Sequence, residues 1–193
     1  MAGHARFTAI LDACVLYPVC VADALMSMAI AGLYAAKWTT RVEGEWLSNL
    51  EKDRPDLVGK LDRRRDLMRQ AIPDWEVPEA ACNAVASGLA LPDPGDVHVL
   101  AAAIAGHADC IVTANIKDFP AYILEVHGLC AVHPDDFLIA QLDLDPISAL
   151  AALKEMRARS KNPPFTPDEF AAAFERNGLV AMAERLREAA ELI

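Results

Sequence analysis

Cys110-Ile-Val-Thr113-Ala-Asn115-Ile-Lys-Asp118 is the stretch that decides the fold. A short apolar run of this length, bounded by polar residues, reads as a buried strand rather than a helix. It passes at once into a loop carrying a hydroxyl, an amide and a carboxylate. Upstream, Phe7-Thr-Ala-Ile-Leu11 is a second run of the same kind and ends at Asp12. Downstream, Leu129-Cys-Ala-Val132 is a third. Helical segments separate the three, and short apolar strands alternating with helices predict an α/β fold with a parallel sheet. Ligands in such folds bind beyond the carboxyl ends of the strands. Asp12 and the Thr113–Asp118 loop fall at that edge.

Between the strands, residues 21–36 read as a helix. Thr39-Thr40 starts another, carried by Val42, Trp46 and Leu50. A third begins at Pro55 and stops at Pro73, and residues 74–77 suit a short strand. Asp93-Pro-Gly-Asp96 opens an alanine-rich helix running to about His107, and Pro134 begins another. After Asp145-Pro146 the pattern is purely helical. Thr166-Pro-Asp-Glu169 is an N-terminal cap with proline in the first turn, Asn177-Gly178 ends that helix, and a last one runs to Glu191.

Hydrophobic residues make up 54 % of the 193 and charged residues 24 %, enough for a sizeable core. No apolar run is long enough for a membrane span and no leader-type N-terminus is visible, so a cytoplasmic protein is expected. Five cysteines with no C-x-x-C suggest buried free thiols rather than disulfides or zinc. The net charge of −10 argues superficially against a nucleic-acid partner. Its distribution softens the argument, because residues 70–142 alone hold ten acidic side chains and one basic one. Divalent cations bound by those acids would offset the field.

Each acid has an ordinary structural reading. Asp12 at a strand end can be a turn former or helix cap. Glu43 and Glu45 lie two apart on one helix, so they point to nearly opposite sides and at most one can join a common site; periodicity does not choose between them, and a solvated helix face accounts for either alone. Asp93 suits an N-cap, with Pro94 next and Asp96 in the first turn, where the helix dipole favours it. Capping explains Asp93 and leaves Asp96 free to act as a ligand. Asn115 and Asp118 can be turn formers.

Taken together, the phrases LDACVLYP, W-T-T-R-V-x-x-E-W-x-x-N-L, L-P-D-P-G-D-V-H-V-L-A-A-A-I and I-V-T-A-N-I-K-D-F-P, in that order over residues 7–140, resemble the PIN-domain family and its VapC-type toxin ribonucleases. The resemblance implies a PIN-like three-layer α/β fold with a central parallel sheet flanked by helices and a C-terminal helical tail. It divides the chain into a nuclease domain at 5–142 and a helical extension at 143–193. It selects Asp12, Glu45, Asp96 and Asp118 as the catalytic acids and makes Thr113, Asn115 and Asp93 supporting or substrate-positioning residues. An all-carboxylate set suits hard cations, so Mg²⁺, with Mn²⁺ as the other possibility, is the expected cofactor on Asp12, Asp96 and Asp118, with Glu45 as a ligand or general base. The activity implied is endoribonucleolytic, that of the toxin of a type II pair, with a cognate antitoxin and a homodimer as expected partners.

The basic run holding Arg63, Arg64 and Arg65 is a candidate RNA contact, although a solvated helix with ion pairs fits it at least as well. Trp38 and Trp46 are better placed in the core than under bases. Two rival functions stand beside the nuclease. A phosphatase of the haloacid-dehalogenase type requires a second aspartate two residues after the first, where Cys14 stands. A catalytically inactive PIN module that binds RNA or protein would not need all four acids.

Overall fold

The computed structural model describes residues 6–193. In chain order the elements are β1 (Thr8–Leu11), α1 (Ala13–Leu16), α2 (Val19–Ile30), β2 (Ala35–Lys37), α3 (Thr40–Asp53), α4 (Asp62–Ala71), α5 (Glu79–Ala86), α6 (Val97–Ala105), β3 (Cys110–Val112), α7 (Ala121–Leu124), β4 (Cys130–Val132), α8 (Pro134–Leu144), α9 (Pro146–Arg159), α10 (Pro167–Arg176) and α11 (Val180–Glu188). The fold is the expected one: a central parallel sheet flanked by helices, with a C-terminal helical extension.

The sheet order is β2-β1-β3-β4, and every pairing is parallel. β1 and β3 are fully buried from Ala9 to Leu11 and from Cys110 to Val112, as their unbroken apolar runs require. The chain leaves β1 toward β2 on one side and leaves β3 toward β4 on the other. The strand order therefore reverses between β1 and β3, and the crevice beyond their carboxyl ends is where α/β sheets bind ligands.

Several local readings change. The third buried strand is in place as β4 but is an edge strand, with Cys130 exposed and Ala131 and Val132 half-buried. The helix expected over 21–36 stops at Ile30, because Gly32 adopts a φ of 86° and turns the chain. Residues 35–37 then pair with β1, Ala35 donating its amide to Phe7 O at 2.8 Å. The helix expected from Pro55 is a single 3₁₀ turn (Pro55–Leu57); Gly59, at φ 70°, intervenes before α4. The strand expected at 74–77 is reduced to one parallel bridge between Trp38 and Glu76. In the same way, Asp93 opens a 3₁₀ turn (Pro94–Asp96) before α6 begins, and α5 and α7 were not foreseen.

The chain folds as two compact units. The first runs to Tyr17 and resumes over Tyr34–His133; the second comprises Pro18–Leu33 and Pro134–Ile193. The sheet unit buries Tyr34, Trp38, Trp46, Leu100 and Phe119, so both tryptophans in question are core residues. In the helical unit α10 packs on α11 and α2 on α9, burying Leu153, Phe174 and Leu186. All five cysteines are free, but only Cys82 and Cys110 are buried; Cys14 and Cys20 are half-buried and Cys130 is exposed. Among the described residues no helix is long and apolar enough to cross a membrane.

Candidate active site

Pairing of β1 with β3 places Leu11 beside Val112, so the next residues, Asp12 and Thr113, emerge together at the crevice. Asp12 is only 5 % exposed, and donors surround its carboxylate. Thr113 Oγ1 donates to Oδ2 at 2.7 Å, Cys14 Sγ to the same oxygen at 3.1 Å, and the Ala13 amide to Oδ1 at 2.6 Å. Hydrogen bonds of this kind to an ionised acceptor make burial of the charge tolerable. The Asn115 amide donates to Thr113 Oγ1 at 3.0 Å, which folds the loop back over the strand end. The Cys14 thiol, wedged between Asp12 and Thr113, is pushed up to about 12 by burial and then by the charge of Asp12. It is a weakly acidic, half-buried thiol and, in its geometry, a donor to Asp12.

Asp93 caps the turn as expected, accepting from the Gly95 amide at 2.7 Å. Asp96 heads α6 without making a side-chain cap. Its carboxyl is raised to about 6, first by burial and then by the charges of Asp12, Asp93 and Asp118, while His98 pulls it down. Three other carboxylates, from three stretches of the sequence, thus act on Asp96. Asp118 closes the 3₁₀ turn Ile116–Asp118 and is half-buried. Among the described residues, no three carboxylate, imidazole or thiol groups meet closely enough to hold an ion by themselves.

The two glutamates of α3 separate cleanly. Glu43 is 2 % exposed, so it is not on a solvated face. It accepts from Arg69 Nε at 3.0 and 3.1 Å and from Trp38 Nε1 at 2.9 Å, and Arg69 Nη2 completes the fork. Arg69 lies over the Trp75 ring, which stacks on Trp38, so the ion pair is closed within a cluster. Glu45 points elsewhere: its Oε1 is 3.4 Å from Arg41 Nε and its Oε2 is 3.2 Å from His98 Nε2.

His98 is the residue that sequence reasoning missed. Its Nδ1 faces Gly95 O at 2.7 Å and its Nε2 faces Glu45. Both neighbours present oxygens, but Nε2 is buried and makes no hydrogen bond of good geometry. His98 thereby lies between Glu45 and the turn carrying Asp96. The sequence signal was the position of His98 two residues after Asp96, and no ligand motif draws attention to it.

Of the three candidate arginines, Arg64 donates to Leu16 O and Tyr17 O and lies 4.6 Å above Trp46, so it fixes the end of α1. Arg65 pairs with Asp62 and Asp66. Arg63 is exposed.

Residues 8–117 match the PIN domain family, and residues 134–188 match the VapC50 C-terminal domain. Over 72 residues the chain is 47 % identical to a protein of Mycobacterium tuberculosis named "Putative ribonuclease VapC50"; the match spans 37 % of this chain and 43 % of that relative. No solved structure matches the chain.

Proposed function

The chain belongs to the PIN-domain family, and on that premise we propose that it is a metal-dependent endoribonuclease, the toxin of a type II toxin–antitoxin pair. The observation that supports this reading above the others is Asp96, raised first by burial and then by the charges of Asp12, Asp93 and Asp118. Acids brought together at the switch point of a parallel sheet repel one another, and a bound cation would relieve that repulsion. The name of the mycobacterial relative points the same way.

The donor set is all oxygen and fits a hard divalent cation, Mg²⁺ or Mn²⁺, which Asp12, Asp96 and Asp118 would hold. Such an ion, when bound, supplies charge neutralisation at the phosphate and acidifies a water molecule. The remaining work falls to the protein. Thr113 and Cys14 fix Asp12, and Asp93 shapes the turn that presents Asp96. Asn115 positions the loop of Asp118. Glu45, beside His98, takes the proton from the attacking water. We assign the nuclease to residues 5–142 and regard 143–193 as its extension, and we assign a cytoplasmic location, a homodimer and a cognate antitoxin on the family's pattern.

The test is digestion of unstructured RNA with Mg²⁺ or Mn²⁺, and with EDTA. Cleavage that needs the metal and disappears in Asp12→Asn is expected. Intact RNA in every metal arm with pure protein would leave the inactive binding module as the better reading. Expression of the wild type without a partner should also arrest growth, and expression of Asp12→Asn should not.

A further inference from the structure

The turn that carries Asp118 also forms one wall of a recess of about 290 Å³. Ile116, Lys117 and Phe119 bracket Asp118 in sequence and line it, and Ala121, Glu125 and Cys130 close the other sides. The lining is largely apolar, with Ile116 40 % exposed although large and hydrophobic. Lys117 is exposed as well, and it makes no ion pair among the described residues. It is the one basic residue between positions 70 and 142, among ten acids. An unpaired cation beside an acidic site, at the lip of an apolar recess, fits a ligand with an anionic group and a flat apolar body.

We propose that this recess is a nucleotide subsite, in which an unpaired base adjoining the cleaved bond lies against Ile116 while Lys117 meets its phosphate. The proposal rests on the nuclease reading and deepens it by defining the substrate. A duplex keeps its bases stacked and paired, so only a single strand or loop can place a base here. Adjacency to Asp118 favours RNA over a peptide, because the phosphate chain must pass the acids to be cut. Glu125 at the rim offers a carboxylate that only accepts. It favours a base bearing an amino group, as carboxylates do with cytosine. Uracil, which has no amino group, is the base held least well.

The experiment uses full-length protein and fluorescent single-stranded oligoribonucleotides differing at one nucleotide. Cleavage is followed with metal and binding by anisotropy in EDTA. Lys117→Glu should raise KM about tenfold and lower kcat far less, and should flatten the salt dependence of binding by about one phosphate contact. Ala121→Trp, an exposed position, should fill the recess and abolish discrimination among bases. Glu125→Gln should weaken the discrimination against uracil. Melting curves of the variants confirm that they fold. If the wild type cleaves RNA and Lys117→Glu and Ala121→Trp match it in KM, salt slope and base preference, the subsite is wrong and the nuclease stands. If the wild type cleaves nothing, the nuclease reading fails, and the anisotropy arm still decides whether Lys117 holds RNA. Unchanged RNA affinity in Lys117→Glu would then dispose of the subsite too.

Discussion

Glu43 and Glu45 occupy one helix two residues apart, and their environments assign them different tasks. Glu43→Gln removes the charge from a fork that Arg69 and Trp38 complete. Hydrogen bonds to charged groups are worth about 1.5–3 kcal/mol, so a loss of about 2 kcal/mol is expected in urea unfolding. Residual cleavage should scale with the folded fraction. Glu45→Gln should leave the unfolding midpoint nearly unchanged and abolish cleavage. Equal loss of activity per folded molecule in the two variants would refute this division. Asp96 gives a pH prediction. Its carboxyl rises from 3.8 to about 6 in the fold, so the neutral form is favoured there. That contribution to stability is complete below pH 3.8 and is lost as pH climbs through about 6. In EDTA the wild type should therefore lose melting temperature over that window relative to Asp96→Asn, whereas parallel curves would show that neither burial nor the neighbouring acids raise Asp96. At this scale the sequence was informative about identity and less so about partners. Asp12 and Thr113 were legible because strand ends are visible in hydrophobic patterning. The burial of Glu43 was not, because its partner Arg69 stands 26 positions away on a helix whose own pattern reads as solvated.

Elements were legible where their signals are local. The N-terminus of α10 carries Thr166 and Glu169 three apart, and the structure has both hydrogen bonds of the capping box. β2 escaped because Ala35-Ala-Lys37 has no strand signature of its own; the β1 backbone makes it a strand. α5 was invisible for a related reason, being an eight-residue helix that follows Pro78 with no side-chain cap. Helix ends can also be satisfied from a distance. Asp135, on α8, is buried and accepts from the amides of Ala181 and Met182 at 2.8 and 2.9 Å, where α11 begins. Asp135→Ala should strip two donors of their acceptor at once and cost about 2 kcal/mol, seen as a lower midpoint with little change in cleavage per folded molecule. An unchanged midpoint would mean that water replaces the carboxylate at no cost.

For the whole molecule, the proposed function predicts that added divalent cations act as a stabilising ligand, against a net charge of −10 and the acids around Asp96. Mg²⁺ or Mn²⁺ should raise the melting temperature of the wild type more than that of Asp118→Asn, and the variant should start higher in EDTA because one repelling charge is gone. A variant that starts lower and gains equally from metal would reduce Asp118 to a loop former. The division into two units bears on how such melts are read. Every tryptophan and tyrosine of the chain, Trp38, Trp46, Trp75, Tyr17, Tyr34 and Tyr122, belongs to the sheet unit, and the helical unit has phenylalanine alone. The protein thus carries its own optical label. Intrinsic fluorescence follows the sheet unit, while far-ultraviolet ellipticity sums the helices of both. A cation seated on the acids should shift the emission transition, and any portion of the ellipticity trace that stays in place belongs to the helices without tryptophan.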